Sequence, residues 1–415
     1  MVQTETGHSE TLADFRIRGM RITQFRRLPD LRRYGERSKS GMKIFVLLLS
    51  AFFSPVLSIK AGESLVYFGT YTRGAESKGI YVSNFNDETG GLPDPVLAVA
   101  ADNPSFLTLA PSGQTLYAVS EISGEGGAGL VSAYRVLDGG KLELINQQSS
   151  GGAGPCYVSV SPDGKVLALA NYGGGSVASY RITDTGALSE TASFIQHTGS
   201  SVNAKRQAGP HAHSINFSSD SRFAYAADLG VDRVFIYSVD PSTGKLALAG
   251  ETKVDPGSGP RHFSFRPDGK FAYLINEMTL KMTVFAVDRD SGALTAIQSL
   301  STLPEGAEAE GSTAEVVCHP SGKFLYGSNR GHDSIVVYAI DAETGKLEYL
   351  ENESIRGKTP RNFVVSPCGK WLLAAGQQSG NVTVFEVDQE TGELTFSGTE
   401  IKVAAPVCIR FRVEK

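Results

Sequence analysis

Cysteine is scarce in this chain of 415 residues: four thiols, Cys156, Cys318, Cys368 and Cys408, stand far apart, with no close C-x-x-C pair. That spacing suggests neither a disulfide framework nor a cysteine-built zinc site, and the thiols are expected to be small buried fillers. Positive charge is also short. The 39 Lys and Arg against 44 Asp and Glu leave a net charge of −5, without the basic stripe that nucleic-acid binding needs. No G-x-S-x-G elbow, H-E-x-x-H helix or Walker loop occurs, so a serine hydrolase, a zincin and a nucleotide enzyme are not supported, and neither a metal nor another cofactor is expected.

What the chain has in abundance is repetition. A glycine–leucine turn phrase recurs at Gly90-Leu92, Gly140-Leu142, Gly186-Leu188, Gly244-Leu246, Gly292-Leu294, Gly345-Leu347 and Gly392-Leu394, a beat of about fifty residues. In five copies an Asp or Asn stands four residues before the glycine: Asn86, Asp240, Asp288, Asp341 and Asp388. This is hairpin chemistry, in which the Asx side chain caps its turn, glycine takes the positive φ and leucine re-enters the sheet. A second turn of the form Ser-Pro-Asp-Gly-Lys appears at Ala110-Gly113, Ser161-Gly164, Arg266-Gly269, His319-Gly322 and Ser366-Gly369, with a degenerate copy at Ser218-Ser221. An apolar strand follows each.

Several short strands per period mean blades, because a lone four-stranded sheet cannot bury both faces without neighbours. The spacing predicts an all-β, seven-bladed β-propeller of four-stranded antiparallel blades. Six units follow one another, and the seventh is split. "SLVYFGTYT" reads as a second strand without a first, and "APVCIRFRV" at 405–413 as a first strand without a second. Pairing them closes the ring and leaves no sticky edge.

The N-terminus keeps no such beat. Residues 1–41 are polar and arginine-rich, and read as a disordered or mis-assigned extension. Met42 then opens a short basic start, an apolar run and a small-residue exit near Ala61, the grammar of a signal peptide over 42–61. The run is short for a membrane span, with an uncleaved anchor or a disordered tail as the alternative. The expected mature protein begins near Gly62, carries the propeller over 64–413 and resides in the periplasm or outside the cell; it is cytoplasmic if the segment is not processed. No stable membrane insertion is expected once the signal is removed. The oligomeric state is left open by the sequence.

Because blades are copies, departures from a column carry information. The column entering the first strand reads Ser105, Cys156, His213, Arg261, Ala314, Arg361 and Val407, and the next reads Phe106, Tyr157, Ser214, His262, Glu315, Asn362 and Cys408. First strands line a propeller's channel, so these columns should ring its funnel. The end of the second strand gives Thr70, Ser120, Asn171, Asp228, Asn276, Asn329 and Gly376, followed by Tyr71, Glu121, Tyr172, Leu229, Glu277, Arg330 and Gln377. Such a polar ring either bonds itself or meets a ligand, and a ligand is expected. For Ser120, Asn171 and Asn276 singly, a bond to loop backbone is the plainer expectation; Asn171 is still kept among the binding candidates.

The charged members His213, Arg261, His262, Glu277, Glu315, Arg330, His332 and Arg361 fall in consecutive blades on what should be one face. Arginines in this number suit an anionic small molecule, since a planar guanidinium grips phosphate or carboxylate in two places. A nearby histidine and glutamate supply a proton acceptor or donor close to neutral pH.

With these residues in view, the chain resembles the seven-bladed propeller lactonases, the family of 6-phosphogluconolactonase and the fungal-type 3-carboxy-cis,cis-muconate lactonizing enzyme. The resemblance covers roughly residues 64–413 and is carried by "GTYT" at Gly69-Thr72, "GPHAHS" at Gly209-Ser214, "GPRHFSFRPDGKFAYLINE" at Gly259-Glu277 and "YGSNRGHDSI" at Tyr326-Ile335. It implies a catalytic set of His213, Glu277, Arg261 and Arg330; the reading of the residues themselves adds His211, His262, Glu315, His332, Arg361 and Asn171 as binding candidates. His211 is close enough to exchange roles with His213, which the column register prefers. The implied activity is hydrolysis of a small anionic sugar-acid lactone, with His213 or Glu277 as general base. The alternatives are cycloisomerisation of a carboxymuconate and a non-catalytic ligand-binding propeller.

Overall fold

The computed structural model describes residues 62–307 and 310–413. The expectations for 1–41 and 42–61 therefore lie outside the described residues. Among the described residues no helix is long and apolar enough to cross a membrane.

The Asx–glycine turns form as their chemistry dictates. Gly244 N donates to Asp240 O at 2.8 Å while Asp240 Oδ1 accepts from Ser242 N at 2.9 Å, and Gly244 takes a φ of 77°. The same closure recurs from Gly292 to Asp288, Gly345 to Asp341 and Gly392 to Asp388. Between such turns the described strands make seven four-stranded antiparallel sheets. A representative blade runs Ala212–Phe217, Phe223–Asp228, Arg233–Asp240 and Lys245–Lys253, in that order within its sheet.

Burial follows position in the blade. Second strands such as Val166–Asn171, Phe223–Asp228 and Phe271–Asn276 are buried at every residue, because neighbouring blades cover both faces. They accordingly read as continuous apolar runs. Fourth strands such as Leu188–Gln196 are largely open to solvent and mostly polar.

Each blade is also tied to the next by one side chain. Tyr67, Tyr117, Tyr225, Tyr273 and Tyr326 donate their hydroxyls to the turn carbonyls of Gly140, Gly186, Gly292, Gly345 and Gly392. Ser179 does the same to Gly244, and Trp371 Nε1 donates to Asp87 O at 2.9 Å to complete the circle. The split blade closes as its sequence predicts. Pro406–Phe411 pairs antiparallel with Glu63–Thr70, with Val66 opposite Phe411 and Phe68 opposite Ile409.

One irregularity recurs where the chain enters six of the seven inner strands. Pro155 faces Asn171 and Tyr157 faces Ala170, so Cys156 has no partner; His213, Arg261, Arg361 and Val407 are skipped in the same way. Between Thr313 and Val316, Ala314 and Glu315 together oppose Ser328. These are β-bulges, which re-aim a side chain out of the ladder. A proline opens the strand before the bulged residue at Pro155, Pro260, Pro360 and Pro406, a place where its missing N–H costs little.

Candidate active site

The bulged column and the second strand-end column meet at one mouth of the channel. There a cavity of about 310 Å³ is lined by Arg206, Arg330, Arg361, Glu121 and Glu277, with His213, Cys156 and Tyr172 beside them. A narrower niche lies against it and shares Glu121, Cys156, His213 and Arg361.

Glu277 is the hub. Its Oε2 lies 3.0 Å from Arg261 Nε and 3.0 Å from Arg330 Nη2, and its Oε1 2.6 Å from Arg206 Nη2. Burial pushes this carboxyl up, but Arg330, Arg261 and His213 outweigh burial and hold it well below the usual carboxylate range. A group so firmly ionised is a weak proton acceptor and a strong organiser of cations. Burial and its like-charged neighbour Arg261 push Arg330 down to about 10, which leaves it protonated at neutral pH.

His213 is different. Its Nε2 is 3.8 Å from Glu277 Oε2 and its Nδ1 3.7 Å from Cys156 Sγ, so neither nitrogen is held by a short bond. Burial, then Arg261 and His262, push its pKa well below the ordinary imidazole value. The ring is neutral near pH 7 and able to take a proton.

His262 sits one layer deeper. Its Nε2 faces Arg261 Nη1 at 3.1 Å, and since a guanidinium only donates, Nε2 accepts and Nδ1–H donates to Glu315 Oε1 at 2.7 Å. Glu315 also accepts from Val316 N at 3.1 Å and from Asn362 Nδ2, and burial pushes its carboxyl up to about 7. Glu315 lines not the arginine cavity but a separate one of about 370 Å³ further along the inner strands, together with Arg410 and Tyr157.

Of the sequence candidates, His213, Glu277, Arg330 and Arg361 line the cavity, while Arg261 and His262 wall the niche. Three others are placed differently. His211 donates from Nδ1 to Tyr172 O at 2.9 Å and stacks on the Tyr172 ring at 4.6 Å, lining neither space. His332 is exposed and bonded to Ser334 Oγ at 2.7 Å. Asn171 is fully buried, its Nδ2 donating to Ser150 O at 3.0 Å and Ser176 Oγ at 3.1 Å. Asn276 likewise donates to Lys281 O and Thr283 Oγ1 on the following strand, and Asn329 to Thr302 O, so these three asparagines are taken up by protein partners, while Glu121, Tyr172, Glu277 and Arg330 of the second column line the cavity. The thiols also depart from a uniform set of buried fillers: Cys156 and Cys408 are buried, Cys318 is partly covered and Cys368 is exposed.

Arg206 escaped the column logic because it lies in the loop 197–211, which no other blade repeats. That loop is built in place. Asp228 accepts from His197 Nδ1 at 2.6 Å and His211 N at 2.8 Å, Gln207 Nε2 donates to Leu229 O at 2.9 Å, and Gly230 lies so close that an added Cβ would stand 1.9 Å from Gly209 O. Arg206 is thereby delivered to Glu277 and to Tyr172 Oη at 3.1 Å. The signal available in sequence was the loop's unusual length and its Lys205-Arg206 pair.

Comparison with known proteins identifies the family. The family model "Lactonase, 7-bladed beta-propeller" matches residues 65–411. The chain is 34% identical over 346 residues to a 6-phosphogluconolactonase of Bacillus subtilis, covering 83% of this chain and 97% of the relative. It is 35% identical over 306 residues to a 6-phosphogluconolactonase of Formosa agariphila, covering 72% and 86%. Among solved structures, the periplasmic gluconolactonase of Pseudomonas aeruginosa superposes with a TM-score of 0.79 at 34% identity, covering 85% of this chain and 100% of that one.

Proposed function

Since the chain belongs to the seven-bladed β-propeller lactonase family, with which it matches over residues 65–411, we propose that it hydrolyses the lactone of a sugar acid in the manner of a 6-phosphogluconolactonase. The observation that carries this reading is a neutral, loosely held His213 beside a cavity lined by three guanidiniums. The cavity, about 310 Å³, suits one small ring.

His213 takes a proton from water as the water oxygen attacks the lactone carbonyl. Negative charge then grows on the carbonyl oxygen, and the arginines already in place stabilise it without reorganising. The ring C–O bond breaks, His213 returns the proton to the departing alkoxide, and the product is an open hydroxy acid. Glu277 keeps Arg206, Arg261 and Arg330 in position, and the proton transfer falls to His213. Arg361 is the cation left for an anionic substituent of the substrate.

Export is the second element of the proposal: a signal peptide over 42–61 would release a protein beginning near Gly62. Its support is the charge and hydropathy pattern after Met42. An exported enzyme meets unphosphorylated lactones, and Arg361 then reads a hydroxyl or carboxylate rather than a phosphate. Assaying the purified protein against phosphorylated and plain aldonolactones and a carboxymuconate tests the activity; N-terminal sequencing from the native host tests export. No turnover of any lactone would overturn the first, and an intact Met1 or Met42 in a cytosolic fraction the second.

A further inference from the structure

We infer that the niche beneath the arginine cavity is the binding site of the hydrolytic water, and that Ser105 holds that water. The inference deepens the lactonase reading and rests on it.

The niche offers about 10 Å³ to the centre of a water-sized sphere, which is room for about one water and too little for any part of a sugar. Its wall is polar on several sides: Ser105, Glu121, His213, Arg261 and Arg361. A held water needs two to four such partners. Ser105 is 4% exposed, and its Oγ has no hydrogen-bond partner among the described residues. A buried hydroxyl left so is costly, unless it serves a molecule in the space it faces.

Ser105 is also held in place by its neighbours. Asn103 accepts from Thr72 N at 2.9 Å and Arg73 N at 3.0 Å, and its Nδ2 donates to Glu121 O at 3.2 Å. The Asn103 carbonyl then accepts from Ser105 N at 2.7 Å. The inner strand of this blade starts only at Leu107, so Ser105 reaches the axis from a loop instead of a bulge. His213 walls both niche and cavity. A water in the niche is therefore set beside that base at the edge of the cavity: its oxygen bonds to the carbonyl carbon, one proton passes to His213, and His213 returns it to the ring oxygen as the ring C–O bond breaks.

Two measurements test this. A high-resolution crystal structure of the protein should show an ordered water within hydrogen-bond distance of Ser105 Oγ; a niche without density, or a hydroxyl turned onto a backbone carbonyl, overturns the inference. Ser105→Ala removes the hydroxyl, and Ser105→Val also fills the niche. Both should lower kcat about tenfold or more, with KM and inhibition by the hydroxy-acid product little changed. Variants that keep the wild-type kcat overturn the role of Ser105, and if a variant does not fold the density in the wild type still decides. A wild-type protein that opens no lactone would sink the lactonase reading, while the crystallographic result would still stand or fall separately.

Discussion

Arg261 Nε lies 3.0 Å from Glu277 Oε2, an ion pair in which both side chains are almost completely buried. The same carboxylate also meets Arg330 and Arg206. Glu277→Gln would keep the shape and leave these cations without their shared anion. Breaking a buried pair costs about 3–5 kcal/mol, so the variant should lose both stability in denaturant unfolding and at least about 100-fold in kcat. Loss of activity at unchanged stability would instead mark Glu277 as a proton-transfer group.

His213 should set the acidic limb of the pH–rate profile. A base works when deprotonated, so kcat/KM is retained down through the ordinary imidazole value of about 6.5 and falls only at the lower pH where buried His213 becomes protonated. His213→Ala should cost about 100-fold in kcat and erase that limb. An unchanged limb in the variant would assign it to another group.

The ring was legible in sequence because its grammar is local. Turn glycines, Asx caps and apolar second strands each answer to a few neighbouring residues, and the missing first strand of the N-terminal blade pointed to the C-terminus. The columns located the cavity as well, since copies of one blade place equivalent residues at one height. Roles within it were harder to read. A column cannot show that Arg261 and Arg330 are already paired with Glu277, that Asn171 is taken up by a loop, or that His211 turns onto Tyr172. Arg206 comes from a loop without counterparts, and the Ser105 hydroxyl stands out only once its lack of a partner is seen.

Ring closure should be indispensable. Pro406–Phe411 forms the inner strand of the closing blade, and Ile409 and Phe411 pack with Val66, Phe68 and Phe85 in one buried cluster. Deleting residues 403–415 exposes that cluster beside unpaired strand edges, and the truncated chain should fail to fold cooperatively. Trp371→Phe is the milder counterpart: losing the bond to Asp87 O should cost about 0.5–1.5 kcal/mol. A truncation with the full-length melting temperature would contradict closure by this strand.

Substrate charge should be read by Arg361. Arg206, Arg261 and Arg330 are paired with Glu277, whereas Arg361 forms no ion pair among the described residues and lies over the Tyr71 ring at 5.5 Å. Tyr71 is fixed in turn by its hydroxyl, which donates to Glu121 Oε2 at 3.0 Å. A cation that lines the cavity without a close ion-pair partner among the described residues gains most from an anionic ligand. A charge-assisted bond contributes about 1.5–3 kcal/mol, so Arg361→Ala should lower kcat/KM about 10- to 100-fold on a phosphorylated or carboxylated lactone. On an uncharged lactone the loss should be small, and the fold should hold because no buried carboxylate is orphaned. Arg261→Ala, by contrast, strips Glu277 of a partner and should reduce stability along with activity on every substrate. Equal losses on charged and uncharged lactones in the Arg361 variant would show that this guanidinium serves the reacting carbonyl instead of a substituent.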